Sequence, residues 1–197
     1  MGSRFKRQNR CERCRMHEGF CICEFIPLFS LHTRVVLVIH RTEIRKPSAT
    51  GPLALASLSN SEMRVHGFQE TPVDLTDILE GKRRPVLLFP REGAPVMDRA
   101  FLERDNRPIT LIVPDGNWGQ ASRMARRIPG LEQVPTAILP KGPTTRWGLR
   151  REPHEEGLAT YEAIARAIGI IESPEAQWAM EALVDRMVAQ TRASWMR

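Results

Sequence analysis

The sequence predicts an α/β domain with a mostly parallel sheet and flanking helices, and three observations carry this prediction. Short apolar segments rich in β-branched residues recur along the chain, beginning with RVVLVIH at 34–40. Helical patterns lie between and after these segments. The segments are also continuously apolar instead of alternating, as expected for strands buried on both faces of a parallel sheet.

Four further strands are predicted at 63–68, 85–90, 108–115 and 135–140. Helices are predicted at 51–60, 121–128, 157–170 and 174–195. In the second of these helices, apolar residues recur at the i, i+3, i+4, i+7 spacing of one buried face: Ala121, Met124, Ala125 and Ile128. The last helix is the longest, because its apolar stripe continues from Ala176 to Val188.

Length and charge limit the domain organisation and the partners. The 197 residues are 42% apolar and carry a net charge of +6, which suits one main domain with a small appendage. We place the appendage at 1–30 and the α/β domain at 31–197. No apolar run reaches the roughly 18 residues of a membrane span, and the first ten residues lack a secretory apolar segment, so we expect a soluble cytoplasmic protein.

The appendage contains a basic arm and a cysteine cluster. Arg4, Lys6 and Arg7 suit a polyanionic partner, although a solvated tail explains the same charges equally well. All four cysteines of the chain follow in CERCRMHEGFCIC: Cys11, Cys14, Cys21 and Cys23. In a reducing compartment such clustering favours a closed, structural zinc site over disulfides. We interpret His17 as a loop residue and not as a ligand.

Ligands of parallel α/β sheets bind beyond the carboxyl ends of the strands. Four segments leave predicted strands in this sequence: VIHRTEIRKPSATG, LLFPREGA, IVPDGNW and ILPKGPTTRWGLRRE. None contains the glycine pattern of a P-loop or of a dinucleotide-binding turn. The strand exits are therefore the predicted site, without a usual nucleotide cradle.

The local pattern leaves several of these residues ambiguous. Asp115 directly follows a buried strand, which suits a site residue, but Asp-Gly is also common at turns and helix N-caps. Trp118 is equally typical of a core residue at a helix start. His40 and Glu43 fit a solvated pair in a loop.

A combination of motifs resembles one family, the DTW-domain proteins, which are tRNA-uridine aminocarboxypropyltransferases. DGNW is similar to the D-x-T-W signature, with Asn117 in place of the threonine. The cysteine cluster, HRTEIRKPSATG, FPREGA and LRREPHEEGLATYEAIA resemble that family's motifs in the same order, from Cys11 to about Ala165. A D-x-x-W alone would not be specific, but this ordered set is.

The resemblance implies an activity and a fold. The activity is transfer of the 3-amino-3-carboxypropyl group of S-adenosylmethionine to N3 of a tRNA uridine, with release of methylthioadenosine. The fold is similar to SPOUT-class RNA enzymes, in which C-terminal loops form a knot around the cofactor. Knots are rare, so this feature rests on the resemblance alone.

The implied activity gives roles to the residues at the strand exits. Asp115 would accept the N3 proton or bind the cofactor's ammonium group, and both roles stay open. Trp118 would stack on a flipped-out uracil or pack beneath the cofactor loop. The resemblance also implies a set of cofactor-binding residues: Pro90, Gly93, Pro114, Leu139, Pro140, Arg150, Thr160 and Glu162.

The implied partner is tRNA, and exposed basic residues are its predicted contacts. Besides the basic arm these are Arg41, Arg45, Lys46, Arg123, Arg126 and Arg127. Contacts of this kind with phosphates give salt-sensitive affinity without sequence information. Two other functions stay open, a methyltransferase that uses the same cofactor and a zinc-knuckle RNA-binding protein without catalysis. The oligomeric state, monomer or homodimer, also stays open.

Overall fold

The computed structural model describes residues 10–148 and 157–196. The predicted contacts Arg4, Lys6, Arg7 and Arg150 lie outside this part of the chain. The strands are β1 (Arg34–His40), β2 (Ser61–His66), β3 (Arg84–Leu88), β4 (Ile109–Asp115) and β5 (Thr136–Ala137). The helices are α1 (Leu53–Ser57), α2 (Thr76–Leu79), α3 (Arg99–Leu102), α4 (Trp118–Arg127), α5 (Thr160–Ile171) and α6 (Pro174–Trp195).

The five strands form one sheet in the order β2-β1-β4-β3-β5. Every pairing is parallel, with β1 beside β2 and β4, and β3 beside β4 and β5. All carboxyl ends therefore lie at one edge of the sheet. The predicted α/β class with a parallel sheet and flanking helices is confirmed.

The sheet is buried on both faces. Successive residues of β1 point to opposite sides, so Val35, Leu37 and Ile39 join one core cluster while Val36 and Val38 join the other. Apolar residues of α1, α5 and α6 cover the first face, and those of α2 and α4 cover the second. This double burial explains why the strands read as continuous apolar runs.

The structure differs from the sequence prediction at several elements. Strand β2 begins and ends two residues earlier than predicted, and α1 has 5 residues instead of the predicted span 51–60. The fifth strand, predicted at 135–140, pairs with β3 only over Thr136–Ala137. After that point Ile138 donates to the carbonyl of Pro95 at 3.0 Å and accepts from the N–H of Met97 at 2.7 Å. The four-residue helices α2 and α3 were not predicted, because elements so short show no helical periodicity.

The cysteine-rich segment packs on the α/β domain and shares its core. Met16 and Ile22 are 6% and 0% exposed and belong to the same apolar cluster as Met187 of α6. The hydroxyl of Thr191 also contacts the sulfur of Met16 at 3.7 Å. The segment is thus held by burial against α6 as well as by its own short turns. Within the described residues, no helix combines the length and the apolar character that a membrane span requires.

Candidate active site

A cavity of about 1450 Å³ lies at the carboxyl edge of the sheet. Its walls come from all four predicted strand exits: Glu43 and Thr50 after β1, Phe89 and Pro90 after β3, Asp115 and Trp118 after β4, and Leu139, Pro140 and Trp147 after β5. The start of α5 closes one side with Leu158, Thr160, Ala163 and Arg166. The parallel sheet therefore brings four distant motifs to one site.

Asp115 is the last residue of β4 and is only 5% exposed. Its Oδ1 accepts a hydrogen bond of 2.7 Å from the hydroxyl of Thr160, the first residue of α5. A rigid central strand thus fixes the backbone of Asp115, and α5 fixes its side chain. The N-cap of α4 is Asn117 and not Asp115, so the N-cap interpretation of Asp115 is wrong.

Asn117 is the residue that caps α4. Its Oδ1 accepts from the N–H of Gln120 at 2.9 Å, and Oε1 of Gln120 accepts from the N–H of Asn117 at 2.8 Å. Threonine and asparagine are both favoured at N-caps. The departure from the D-x-T-W signature therefore keeps the local structure that orients the next residue, Trp118.

Trp118 is partly buried and lines the cavity as the first residue of α4. Its ring lies 6.4 Å from that of Phe89, centroid to centroid, at an interplanar angle of 52°. This tilted arrangement is a favourable aromatic contact and holds the Trp118 ring against the loop after β3. Trp118 thus packs on that loop and at the same time presents a surface to the cavity.

The structure gathers most of the predicted cofactor-binding residues. Five of them line the cavity: Pro90, Pro114, Leu139, Pro140 and Thr160. Gly93 lies outside the lining residues, in an exposed turn where its φ of 74° favours glycine. Glu162 also lies behind the wall, and Arg150 is outside the described residues.

Glu162 holds the loop that follows β5. Although it is only 1% exposed, its carboxylate accepts from the hydroxyl of Thr145, from the N–H of Arg146 at 2.6 Å and from the N–H of Ala159 at 3.2 Å. The buried carboxylate therefore joins residues 145–146 to the start of α5. Its contacts are those of a residue that shapes the cavity wall.

The sequence interpretation missed Glu43, which lies in the cavity wall, and Gly51, which lies in the turn before α1. Glu43 was interpreted as a solvated loop residue, which is wrong because it is 2% exposed and lines the cavity. Gly51 lies directly beside Asp115, since a Cβ atom at this position would be 2.5 Å from Oδ2 of Asp115. Irregular turns carry no periodicity, so the available signal was the family-like segment HRTEIRKPSATG, which contains both residues.

The predicted RNA contacts border this cavity. Arg41, Arg45 and Lys46 are exposed in the turn after β1, and Arg123, Arg126 and Arg127 are exposed on α4. Gln120 joins the two segments by donating to Oγ1 of Thr42 at 3.0 Å and by contacting Nδ1 of His40 at 3.1 Å. We call the six basic residues Arg41, Arg45, Lys46, Arg123, Arg126 and Arg127 the basic face. It is continuous with the cavity, because Glu43 and Ser122 of the same two segments line the wall.

His40 reports on the electrostatics of this region. Burial lowers its pKa, and the neighbouring charges of His66, Arg41 and Arg123 lower it further, although the charge of Glu43 opposes this shift. The ring stays in place through a 2.8 Å contact between its Nδ1 and the hydroxyl of Thr42. A neutral His40 adds no charge to the basic face at neutral pH.

The four cysteines form a cluster that could hold a metal ion. Their sulfur atoms all lie within 4.8 Å of one another, and the pairs Cys11–Cys23 and Cys14–Cys21 are 3.4 and 3.6 Å apart. These distances are too long for disulfides. A tetrahedral zinc site with Zn–S bonds of ~2.3 Å needs sulfur separations of about 3.8 Å, which the cluster fits.

The four thiols of the cluster differ in acidity. Burial raises the pKa of the Cys14 and Cys23 thiols. A hydrogen bond from the backbone of Cys14 lowers the pKa of the Cys11 thiol to about 6, although burial opposes this change. His17 is not part of the cluster, and its Nε2 instead contacts Nη2 of Arg10 at 3.1 Å. The described ligand set is therefore four sulfur atoms.

Comparison with known protein families identifies the family of this chain. The family model described as the DTW domain matches residues 8–192, nearly the whole chain. The chain belongs to the DTW domain family. Asp115 and Trp118, the aspartate and tryptophan of the DGNW signature, both line the cavity of this DTW domain.

Curated relatives of this DTW domain share one name, tRNA-uridine aminocarboxypropyltransferase 2. The protein from Macaca fascicularis is 28% identical over 178 residues, which cover 85% of this chain and 58% of the relative. The protein from Drosophila melanogaster is 24% identical over 174 residues, which cover 85% and 68%. The chain therefore spans little more than half the length of the macaque relative.

One solved structure, described as the crystal structure of spTrm10(74), matches with a TM-score of 0.42 and 10% sequence identity. The match covers 80% of this chain and 96% of the other. The α/β class of this chain follows from the strand order and the parallel register of its own sheet. The knot implied by the family resemblance stays a prediction.

Proposed function

We propose that this DTW domain transfers the 3-amino-3-carboxypropyl group of S-adenosylmethionine to N3 of a uridine in tRNA. The observation that carries the proposal is the buried Asp115 of the family signature, held by Thr160 in a cavity beside Trp118. Family membership and the shared name of the relatives support the reaction class.

The donor supplies a sulfonium centre whose adjacent carbons are open to nucleophilic attack. In the proposed transfer, the N3–C bond forms, the C–S bond breaks and methylthioadenosine leaves with the bonding electron pair on sulfur. The N3 proton passes to a carboxylate, and we assign this role to Asp115. The walls select the reacting carbon by orientation, since methyl transfer would need a different one facing N3.

In this proposal Thr160 orients Asp115, and Trp118 holds the uracil. The hydrogen bond from Thr160 fixes the direction of the carboxylate, so that its remaining lone pairs face a defined position. The Trp118 ring, held by Phe89, offers an aromatic surface on which an unpaired uracil can stack. Leu139, Pro140 and Pro90 supply apolar and backbone contacts for the adenosine part of the donor.

We also propose that Cys11, Cys14, Cys21 and Cys23 bind a structural zinc ion. The sulfur separations support it, and a set of four thiolates leaves no open position for a catalytic water. The ion would fix the segment that buries Met16 and Ile22 against α6. Its role is therefore to stabilise the fold.

The basic face is the proposed tRNA contact. It borders the cavity on the side of Trp118, so phosphates bound there would direct an unpaired base toward Asp115. Phosphate contacts position the RNA without reading its sequence. The affinity would accordingly fall as salt concentration rises.

The decisive experiment incubates unmodified tRNA with the protein and S-adenosylmethionine and follows both products by mass spectrometry. We expect a uridine that gains the aminocarboxypropyl mass, with methylthioadenosine released in equal amount. A methyl mass gain with S-adenosylhomocysteine would instead show a methyltransferase. If calorimetry detected no binding of S-adenosylmethionine, an RNA-binding protein without catalysis would be favoured.

A further inference from the structure

Glu43 is a buried carboxylate in the cavity wall that the mechanism above does not use. It lies in the turn after β1, where its N–H donates to the carbonyl of His40 at 2.8 Å and its carbonyl accepts from the N–H of Lys46 at 2.9 Å. This turn directs the Glu43 side chain inward, and the residue is 2% exposed. Glu43 lines the same cavity as Asp115 and Thr160.

The charge of Glu43 is only partly compensated. Nζ of Lys46 binds Oε1 at 2.5 Å, but the Lys46 side chain is 45% exposed and lies on the solvent side. Oε2 of Glu43 receives no hydrogen bond from residues 10–148 or 157–196. Because Glu43 lines the cavity at this low exposure, a cationic group of a ligand bound there can donate a charge-assisted hydrogen bond to its second oxygen.

The acids of the described cavity wall differ in their suitability for a cation. Glu92 is exposed to solvent, which weakens any charge pairing there. Asp115 already accepts a hydrogen bond from the hydroxyl of Thr160 and is the residue proposed to take the N3 proton. Glu43 is also buried and reaches the cavity from the turn after β1, the strand that pairs with β4.

We propose that Glu43 binds the α-ammonium group of S-adenosylmethionine, an inference that rests on the proposed function. An ammonium group offers three N–H donors, so it can satisfy Oε2 of Glu43 and still reach a second acceptor. A hydrogen bond between two charged groups is also stronger than a neutral one. This assignment leaves Asp115 for the N3 proton of the uracil.

The test compares three ligands by calorimetry on the full chain and on Glu43→Gln. S-adenosylmethionine carries the ammonium and the carboxylate, decarboxylated S-adenosylmethionine keeps only the ammonium, and methylthioadenosine lacks both. We expect Glu43→Gln to weaken binding of the first two by about 10- to 100-fold and to leave methylthioadenosine binding unchanged. Glu132→Gln makes the same substitution at an exposed position outside the cavity and is the matched control.

A second variant separates direct binding from loss of the ion pair. Lys46→Met removes the partner of Glu43 but keeps the carboxylate. Because Lys46 belongs to the basic face, this variant is compared only by calorimetry in the absence of tRNA, where we expect it to bind S-adenosylmethionine as tightly as the parent protein. If Lys46→Met reproduced the loss, the ion pair and not a ligand contact would explain it, and the inference would be overturned. An equal loss for all three ligands in Glu43→Gln would overturn it too, because that result indicates a damaged cavity wall.

Two other outcomes separate this inference from the proposed function. If Glu43→Gln kept its affinity for S-adenosylmethionine but turned over more slowly, the inference alone would be overturned, since Glu43 would then act on the tRNA uridine. A parent protein that binds none of the three ligands would overturn both the proposed function and the inference.

Discussion

Gly51, in the turn before α1, lies directly beside Asp115 at the end of β4. A Cβ atom on residue 51 would be 2.5 Å from Oδ2 of Asp115, 2.9 Å from its carboxyl carbon and 3.0 Å from Cδ1 of Leu37. The first two distances are shorter than any real Cβ contact. Glycine at this position therefore allows the turn after β1 to lie against the proposed base.

We predict that Gly51→Ala lowers turnover at least 10-fold while the protein still folds. The added methyl group must displace the Asp115 carboxylate, and overpacking of this kind costs about 1 to 3 kcal/mol. Turnover with saturating donor and the midpoint of thermal unfolding check the two parts of the prediction. Gly19→Ala is the control, because a Cβ atom there meets nothing within 4 Å. Normal turnover in Gly51→Ala would show that the reaction does not depend on the position of Asp115.

We predict that Asp115→Asn folds normally but loses most of its transfer activity. The amide cannot accept the N3 proton, and proton transfer by a positioned group is worth about 10²- to 10⁴-fold in rate. Single-turnover kinetics measure the chemical step, and the zinc content shows that the fold is intact. Asp98→Asn is the matched control, since Asp98 caps α3 away from the cavity and asparagine can also cap a helix. Near-normal turnover in Asp115→Asn would remove this residue from the mechanism.

We predict that Cys14→Ser loses the bound zinc and lowers the unfolding temperature. Without the ion, Met16 and Ile22 lose their fixed packing on α6, at a cost of about 3 kcal/mol or more. At roughly 2 to 4 °C per kcal/mol, Tm falls by about 6 °C or more. Metal analysis and thermal unfolding are the measurements.

His17→Ala serves as the control for the zinc site. His17 contacts Arg10 and lies outside the sulfur cluster, so this variant should keep one zinc ion per chain. Loss of zinc in His17→Ala would instead make the histidine a ligand. Full zinc occupancy in Cys14→Ser would contradict the four-cysteine site.

The architecture was predictable because the sheet leaves a strong pattern in the sequence. Residues of β1 such as Leu37 and Val38 are buried on opposite faces, and only a doubly covered sheet demands such continuous apolar runs. The amphipathic α4 was predictable for a related reason, since Met124 and Ala125 lie on its one buried face. Strand β5 was predicted too long, because its pairing with β3 ends where the chain turns toward residues 95–97.

The candidate site was predictable only where a motif marks it. Asp115 and Trp118 were found through the family signature, and parallel strand exits explained why they meet Pro90 and Leu139. Burial of Glu43 depends on an irregular turn whose hydrogen bonds no periodicity reveals. The contact between Thr160 and Asp115 joins residues 45 positions apart, and only the tertiary packing of α5 creates it.

We predict that the triple variant Arg123→Gln, Arg126→Gln, Arg127→Gln binds tRNA more weakly and with a flatter salt dependence. Each lost phosphate contact reduces the slope of log affinity against log salt by about 0.7 to 0.9, so three contacts reduce it by about 2 to 3. Fluorescence anisotropy with labelled tRNA over a range of salt concentrations measures this slope.

The matched control carries the same charge change at the exposed residues Arg99, Arg104 and Arg107, near α3. An unchanged slope in the α4 variant, or an equal change in the control, would place the RNA on another surface. A selective change would place it on the face that borders Trp118, because α4 begins at that residue in the cavity wall.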